Sequence, residues 1–396
     1  MKNERVLISG ASIAGPALAY WLARYGFRVT LVERAPGLRP GGQAVDVRGP
    51  ALDVLARMDL LQEARARATD LRGFSMVDGE GQELSSTTEH TVSAGRLDRP
   101  DVEILRDDLA ALLVREGGPD IEYLFDDSVA HLEEYGGHEG DESGGIRVSF
   151  ESGRERTFDL VVGADGIHSR TRALAFGSEE RYIRPLGGYL AVWTAPNHLG
   201  LDRWQIAHLA EDAGWHIMVM SVRGNAEARV YAGVHPGGPL GEPVREPRAQ
   251  KELIARYCAE GRWEIPRLLS YMWEAPDFHF DALAQIHMDA WTRGRVALLG
   301  DAGYCGSPAS GQGTSMALIG AYVLAGELHA AGGDHVAGFA AYERELRAYV
   351  TANQALADAT LKVAREAREN PGEELRMPEH DSYFYEVIDG YKPRAY

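Results

Sequence analysis

Residues 5–34, "RVLISGASIAGPALAYWLARYGFRVTLVER", limit the fold more than any other stretch. Val6 to Ile8 form an unbroken apolar run, as a strand buried on both faces requires. A turn of small residues follows, and then a helix is predicted over about Ala14–Arg24, ended by Gly26. A second strand is predicted over Val29–Val32, with Glu33 at its end. Strand, turn, helix and strand at this spacing make a parallel βαβ unit. Gly10 allows the tight turn, and Gly15 lets the helix pack close to the strand. The N–H groups at the helix start make a seat for an anion such as a dinucleotide pyrophosphate. Gly10, Ser12, Ala14 and Gly15 are therefore candidate dinucleotide-binding residues, with Glu33 and Arg34 at the end of the second strand. Ser12 stands where the usual fingerprint has its middle glycine, so a ligand-free βαβ turn is the alternative reading.

The chain has 396 residues, enough for about two domains. A formal net charge of −18 repels phosphate backbones, which excludes nucleic acid as a partner class. Cys258 and Cys305 lie in unrelated contexts with no metal-ligand spacing, which fits the reducing cytoplasm. Lys2 and Arg5 precede an apolar run, as in a leader peptide, but "SGASIAG" interrupts it. No run of 18 apolar residues occurs, so no transmembrane helix is expected.

Two further motifs narrow the reading. "FDLVVGADGIHSRTR" (158–172) is a strand ending in Ala164-Asp165-Gly166, with a short helix after the turn. "GRVALLGDAGYCGSPASGQG" (294–313) is a strand ending in Gly300-Asp301, followed by a glycine-rich loop and a helix predicted from Gly313 to about Leu328. With these three motifs in this order, from Arg5 to about Leu328, the chain resembles the FAD-dependent aromatic hydroxylases of the para-hydroxybenzoate hydroxylase type. These are the class A flavoprotein monooxygenases, and the chain is most similar to the tetracycline-inactivating and polyketide-tailoring members.

The resemblance implies that FAD lies extended across the chain, with its ribityl hydroxyls donating to Asp301 and its pyrimidine edge against the loop ending in Gly311, Gly313 and Thr314. A Cβ in that loop would obstruct the approach, and the helix dipole would favour the charge that gathers on the reduced ring. Asp301 also reads as a helix cap. The resemblance further assigns cofactor contacts to Asp165, Arg106, Arg48 and Val129. A surface ion pair is the alternative for each arginine. Tyr304 stands where this family often has histidine. The resemblance implies that NADPH or NADH serves as a transient reductant, and that O₂ adds at flavin C4a to give a hydroperoxide that hydroxylates an aromatic or polyketide-like small molecule. A dehydrogenase or reductase of the same fold, a flavin-dependent halogenase, and a non-catalytic flavin-binding module are the alternatives. Of a halogenase motif only "WEIP" at Trp263–Pro266 is present. No triad or metal cluster is evident, so no catalytic side chain is assigned.

Between 176 and 296 the pattern changes to period-two alternation, clearest in "DRWQIAHLA", "GWHIMVMSV" and "EARVYAGVH". Antiparallel strands follow from it, and Leu71–Ser93 reads as a hairpin of the same layer. His216, Met218 and Met220 share one face of their strand; Trp215, Ile217 and Val219 share the other. Either face can look at a ligand. Candidate substrate contacts are Tyr189, Trp193, His216 and Met218, with Trp204 as a further lining residue. The expected architecture is α/β. A Rossmann-like FAD-binding domain (1–70, 97–175 and 280–334) carries an inserted, mostly antiparallel substrate domain (71–96 and 176–279), and 335–396 form a C-terminal helical segment and tail. The helix is predicted over about His335–Glu369. The substrate and the oligomeric state are left open.

Overall fold

The computed structural model describes residues 2–136, 144–210, 214–236, 244–369 and 382–396. The βαβ unit forms as expected, with strands Arg5–Ser9 and Arg28–Glu33 around helix Ala14–Arg24. Its strands lie inside a six-stranded sheet. From one edge the order is Thr292–Arg293, Val296–Leu298, Leu160–Gly163, Arg5–Ser9, Arg28–Glu33 and Glu122–Phe125. Only the short edge strand Thr292–Arg293 runs antiparallel to its neighbour. Val6, Leu7 and Ile8 are fully buried, so both faces are covered, which is why the run is apolar without alternation. The carboxyl ends of the three motif strands converge: Ser9 pairs with Gly163, and Gly163 with Leu298. Ligands of open α/β sheets bind at such ends. Helix Gly313–Ala330 packs on helix Ala14–Arg24. Its buried run from Ser315 to Leu328 explains why this stretch is apolar all round.

The second large sheet has seven strands, in the order His279–Ile286, Ile183–Pro196, Glu227–Val234, Trp215–Val222, Gln205–Leu209, Phe74–Val77 and Glu83–Thr87. All pairs are antiparallel except Gln205–Leu209 with Phe74–Val77. The hairpin expected within Leu71–Ser93 therefore does join this layer. The strand His279–Ile286 runs across the border expected at 279/280 and pairs with Ile183–Pro196. Two helices not anticipated from the sequence, Pro247–Tyr257 and Ile265–Glu274, cover the outer face. "WEIP" is the start of the second of them, with Pro266 in its first turn, where a missing N–H costs nothing.

These helices decide which way each strand residue points. Trp193, Trp215, Ile217 and Val219 pack outward with Ile254, Cys258, Leu268 and Met272. Val192, Met218, Met220 and Tyr231 pack inward with Phe74 and Leu105. Trp193 is fully buried in the outer layer and does not line the cavity described below, which corrects its placement as a substrate contact. The apolar stripe on the two helices needed a large flat partner, and Trp193 supplies it.

Helix His335–Glu369 forms with the predicted limits. Residues 370–381 of the tail lie outside the described residues. Beyond them, helix Ser382–Asp389 folds back on the chain and buries Phe384 and Ile388, and Arg99 stacks over Tyr385 at 4.3 Å and pairs with Asp389 at 3.0 Å. No described helix is long and apolar enough to cross a membrane. Both cysteines are buried free thiols.

Candidate functional site

One cavity of about 2410 Å³ runs between the two large sheets. The βαβ turn forms one end of it. Gly10 has φ +108°, and a Cβ there would overlap the Ala164 carbonyl; a Cβ on Gly15 would overlap the Gly10 carbonyl. Both glycines are thus required by close backbone approach. Ser12, Ile13 and Ala14 line the cavity, and the Ala14–Arg24 helix starts with no side-chain cap. Its first N–H groups face the space unsatisfied by a cap, which favours an anion. Glu33 lines the cavity and braces the turn. Its carboxylate accepts from Ala11 N at 2.8 Å and from Ala35 N at 2.9 Å. Arg34 is exposed on the same wall. Arg106 opens helix Arg106–Gly117 and donates to Ser12 Oγ at 3.4 Å and to the Gly41 carbonyl at 2.8 Å. Val129 begins strand Val129–Tyr135 and lines the cavity beside Asp127 and Ser128.

The Asp165 carboxylate also faces the cavity, but its oxygens are occupied. They accept from the Ser169 hydroxyl, and at 2.9 Å from both the Thr171 N–H and hydroxyl. Asp165 therefore ties its own turn to helix Arg170–Phe176. Next to it, His168 bridges Glu179 at 2.9 Å and Asp281 at 3.1 Å. Hydrogen bonds to Asp281 and Glu179 raise its imidazole to about 10, so it is a cation at neutral pH.

Asp301 is the first residue of the single-turn helix Asp301–Tyr304, and Gly300, with φ +62°, occupies the cap position. Asp301 thus caps nothing. Its side chain is open to the cavity while protein surrounds it. Burial pushes its carboxyl above the usual range, and the charge of Asp281 adds to this; a hydrogen bond with Cys305 acts the other way. One carboxylate oxygen lies 3.8 Å from where a Gly313 Cβ would be. Gly311 takes the left-handed conformation that ends the Pro308–Ser310 turn. Gln312 caps helix Gly313–Ala330 and is fully buried, yet its side-chain amide has no hydrogen-bond partner among the described residues. Gly311, Gly313 and Thr314 all line the cavity. Tyr304, in place of the family's histidine, turns away from the cavity. It is buried against Gly320 and accepts a hydrogen bond from Tyr342 at 3.1 Å.

Arg48 is buried with its guanidinium 3.0 Å from Asp46, and its Nη1 would lie 3.3 Å from a Cβ on Gly311. It therefore sits at the Gly311 loop, with Arg106 at the βαβ turn. The opposite wall is the inner face of the seven-stranded sheet. His216 and Met218 line it; Tyr189 reaches the cavity from the outer-face side of its strand, packed with the Trp193 layer, and Trp204 does not line the cavity. Tyr189 stacks on Phe280 at 5.5 Å, next to a register shift in its strand pairing.

Sequence reasoning missed Tyr231 and His235. Tyr231 pairs across the strands with Met218, and its hydroxyl accepts from Ala44 N at 2.8 Å. His235 stacks against His216 with ring centroids 5.8 Å apart. Alternation placed each residue on one of two faces, but cross-strand register, absent from the sequence, is what puts Tyr231 opposite Met218 and His235 beside His216.

The sequence matches the FAD binding domain family over residues 3–359. A flavin-dependent monooxygenase from an unidentified prokaryote is 41% identical over 354 residues, covering 89% of this chain and 88% of the relative. The chain belongs to the FAD-dependent monooxygenases. An uncharacterized protein of Mycobacterium tuberculosis is 52% identical over 353 residues, covering 89% of this chain and 92% of its own length. The crystal structure of the tetracycline destructase Tet(51) superposes with a TM-score of 0.86 at 32% identity, with both chains covered fully. The bare loop, the orphaned Gln312 amide and the uncapped helix start fit FAD as the cofactor of this monooxygenase.

Proposed function

We propose that this monooxygenase hydroxylates a multi-ring aromatic or polyketide-like small molecule, using NADPH or NADH and O₂. The observation that carries the reading is one continuous cavity, about 2410 Å³, reaching from the βαβ turn to the His216–Met218–Tyr231 wall. A drug-sized ligand takes roughly 300–1,000 Å³. Room thus exists for an extended dinucleotide together with a bulky second molecule. The likeness to a tetracycline destructase supports the same class.

Gly10, Ser12, Ala14 and Gly15 seat the pyrophosphate, with the Arg106 guanidinium beside it. Glu33 accepts from a ribose hydroxyl, and Arg34 flanks it. Val129 meets the adenine through its backbone, and Asp301 accepts from the ribityl chain. Gly311, Gly313 and Thr314 bring backbone against the pyrimidine edge, where the helix start stabilises negative charge. Asp165 acts through the turn it braces, and Arg48 closes the loop side. When bound, FAD supplies the redox and oxygen-activating chemistry. The protein orients the ring of the substrate across from it: Met218 and Tyr231 present apolar and aromatic surface, Tyr189 borders the far end of the cavity, and the His216–His235 pair offers hydrogen bonds to an acidic hydroxyl. Two buried free thiols suit the cytoplasm.

Replacing Glu33 with Ala removes an acceptor from the ribose and leaves the Ala11 N–H without its partner. FAD affinity falls about 10- to 100-fold, the size of one charge-assisted bond. Flavin fluorescence titration reads this, and an unchanged affinity takes Glu33 out of the site. The function itself is tested on FAD-loaded protein by following NADPH and NADH oxidation across single-ring phenols, anthraquinones and tetracycline, with mass spectrometry of the products. Stimulated oxidation with one oxygen atom gained by a multi-ring compound is expected. Hydrogen peroxide as the sole product from every compound would overturn hydroxylation and favour a reductase.

A further inference from the structure

Among the described residues, the cavity extends to exposed side chains remote in the fold from the βαβ turn. There it is lined by the turn after strand Phe74–Val77, by the edge strand Glu83–Thr87, and by residues 260–262 ahead of helix Ile265–Glu274. The register draws these pieces together: Val77 pairs with His208 on one side and with Glu83 on the other. Leu84 and Leu209 follow directly in the two flanking strands. They are 61% and 41% exposed and both line the cavity, whereas the other large aliphatic side chains of the sheet are buried or half-buried. Across the gap Arg262 Nη1 meets Glu80 Oε1 at 2.7 Å, both side chains being mostly exposed. The turn carrying Glu80 is well tied. The Asp78 carboxylate accepts from Glu80 N at 2.9 Å and Gln82 N at 2.8 Å, and Gly81 lies flat on the Trp263 indole.

We propose that the cavity opens here to admit the organic substrate, and that Leu84 and Leu209 select molecules with an apolar face while the Glu80–Arg262 pair spans the mouth. The inference rests on the two-ligand reading of the cavity. With an extended cofactor along Gly10, Glu33, Arg106 and Asp301, that side of the cavity is filled, and the region by Leu84 belongs to the same cavity as the His216 and Met218 wall. Two exposed leucines at a cavity mouth shed ordered water when an apolar face slides over them, which lowers the cost of entry. An exposed ion pair adds little stability, so its opening is cheap.

The test uses the FAD-loaded protein and needs no turnover, so it fails independently of the hydroxylation assay. A reporter thiol is placed on the inner wall with His216→Cys, and its labelling by N-pyrenylmaleimide, a multi-ring apolar reagent, is timed against the parent chain, whose two cysteines are buried. Leu84→Glu combined with Leu209→Glu is expected to slow labelling at least fivefold, and Arg262→Ala to speed it at least twofold. These positions are exposed, so the variants keep the fold, and an unchanged flavin spectrum checks the cofactor end. A reporter that labels no faster than the parent chain, or equal rates in all mouth variants, overturns the proposal.

Discussion

Asp301→Asn yields an apoprotein at least as stable as the parent chain but a weaker flavoprotein. The sign follows from the carboxyl itself. Its pKa is raised in the folded chain by burial, with the charge of Asp281 adding to it. A carboxyl raised above its unfolded value favours folding only at low pH, where it is protonated. At neutral pH its charge opposes folding. Asparagine removes that charge and keeps the shape, so the apoprotein gains. FAD loses a charge-assisted acceptor worth about 1.5–3 kcal/mol, roughly 10- to 100-fold in affinity. A cofactor held loosely misplaces the ring, at a cost on the order of 100-fold in coupled product formation. Because Gly300 holds the cap position, no capping loss of about 1 kcal/mol accompanies the change. Melting of the apoprotein, FAD titration and product yield for Asp301→Asn and Asp301→Ala check this together. Parental FAD affinity and yield in both variants would mean that the bare loop after Gly300 serves something other than flavin.

Gly15→Ala abolishes FAD binding, lowering it more than 100-fold, and also weakens the fold. A Cβ at this position overlaps the Gly10 carbonyl and comes within 3.4 Å of Ile8 Cγ2. Neither neighbour is a flexible chain end, so the helix must shift off the strand. Overpacking of this kind costs about 1–3 kcal/mol, and the shift carries the helix start away from where an anion sits. Urea unfolding of the apoprotein separates the stability loss from the binding loss. A variant that unfolds as the parent does and still retains FAD shows that the helix and strand tolerate separation, and moves the pyrophosphate seat elsewhere.

The βαβ unit and the two Gly-Asp and Asp-Gly strand ends were legible because local chemistry dictates them. A strand buried on both faces must be continuously apolar, and a turn that touches backbone must be bare. Helix Ala14–Arg24 came out with its predicted limits for that reason. Asp301 was legible as a carboxylate at a strand end, but its freedom from capping was not, since Gly300 took the cap through a backbone angle that composition does not announce. In the seven-stranded sheet, alternation named two faces, one with His216 and Met218 and one with Trp215, without choosing between them. The choice came from helices Pro247–Tyr257 and Ile265–Glu274, which needed an apolar partner and took the Trp215 side, with Trp193 of the next-but-one strand beside it.

The amino-acid sequence by itself determined the parallel βαβ core, the order of the three motif strands along the chain and a seat for a dinucleotide. Each depends on residues within a few positions of one another. Only the tertiary structure decided that Arg48 belongs to the Gly311 loop, that Tyr231 and His235 join the inner wall, and that Leu84 and Leu209, on either side of strand Phe74–Val77, line the same cavity. Those juxtapositions are set by strand register and by packing between distant segments, and side-chain periodicity carries no information about either.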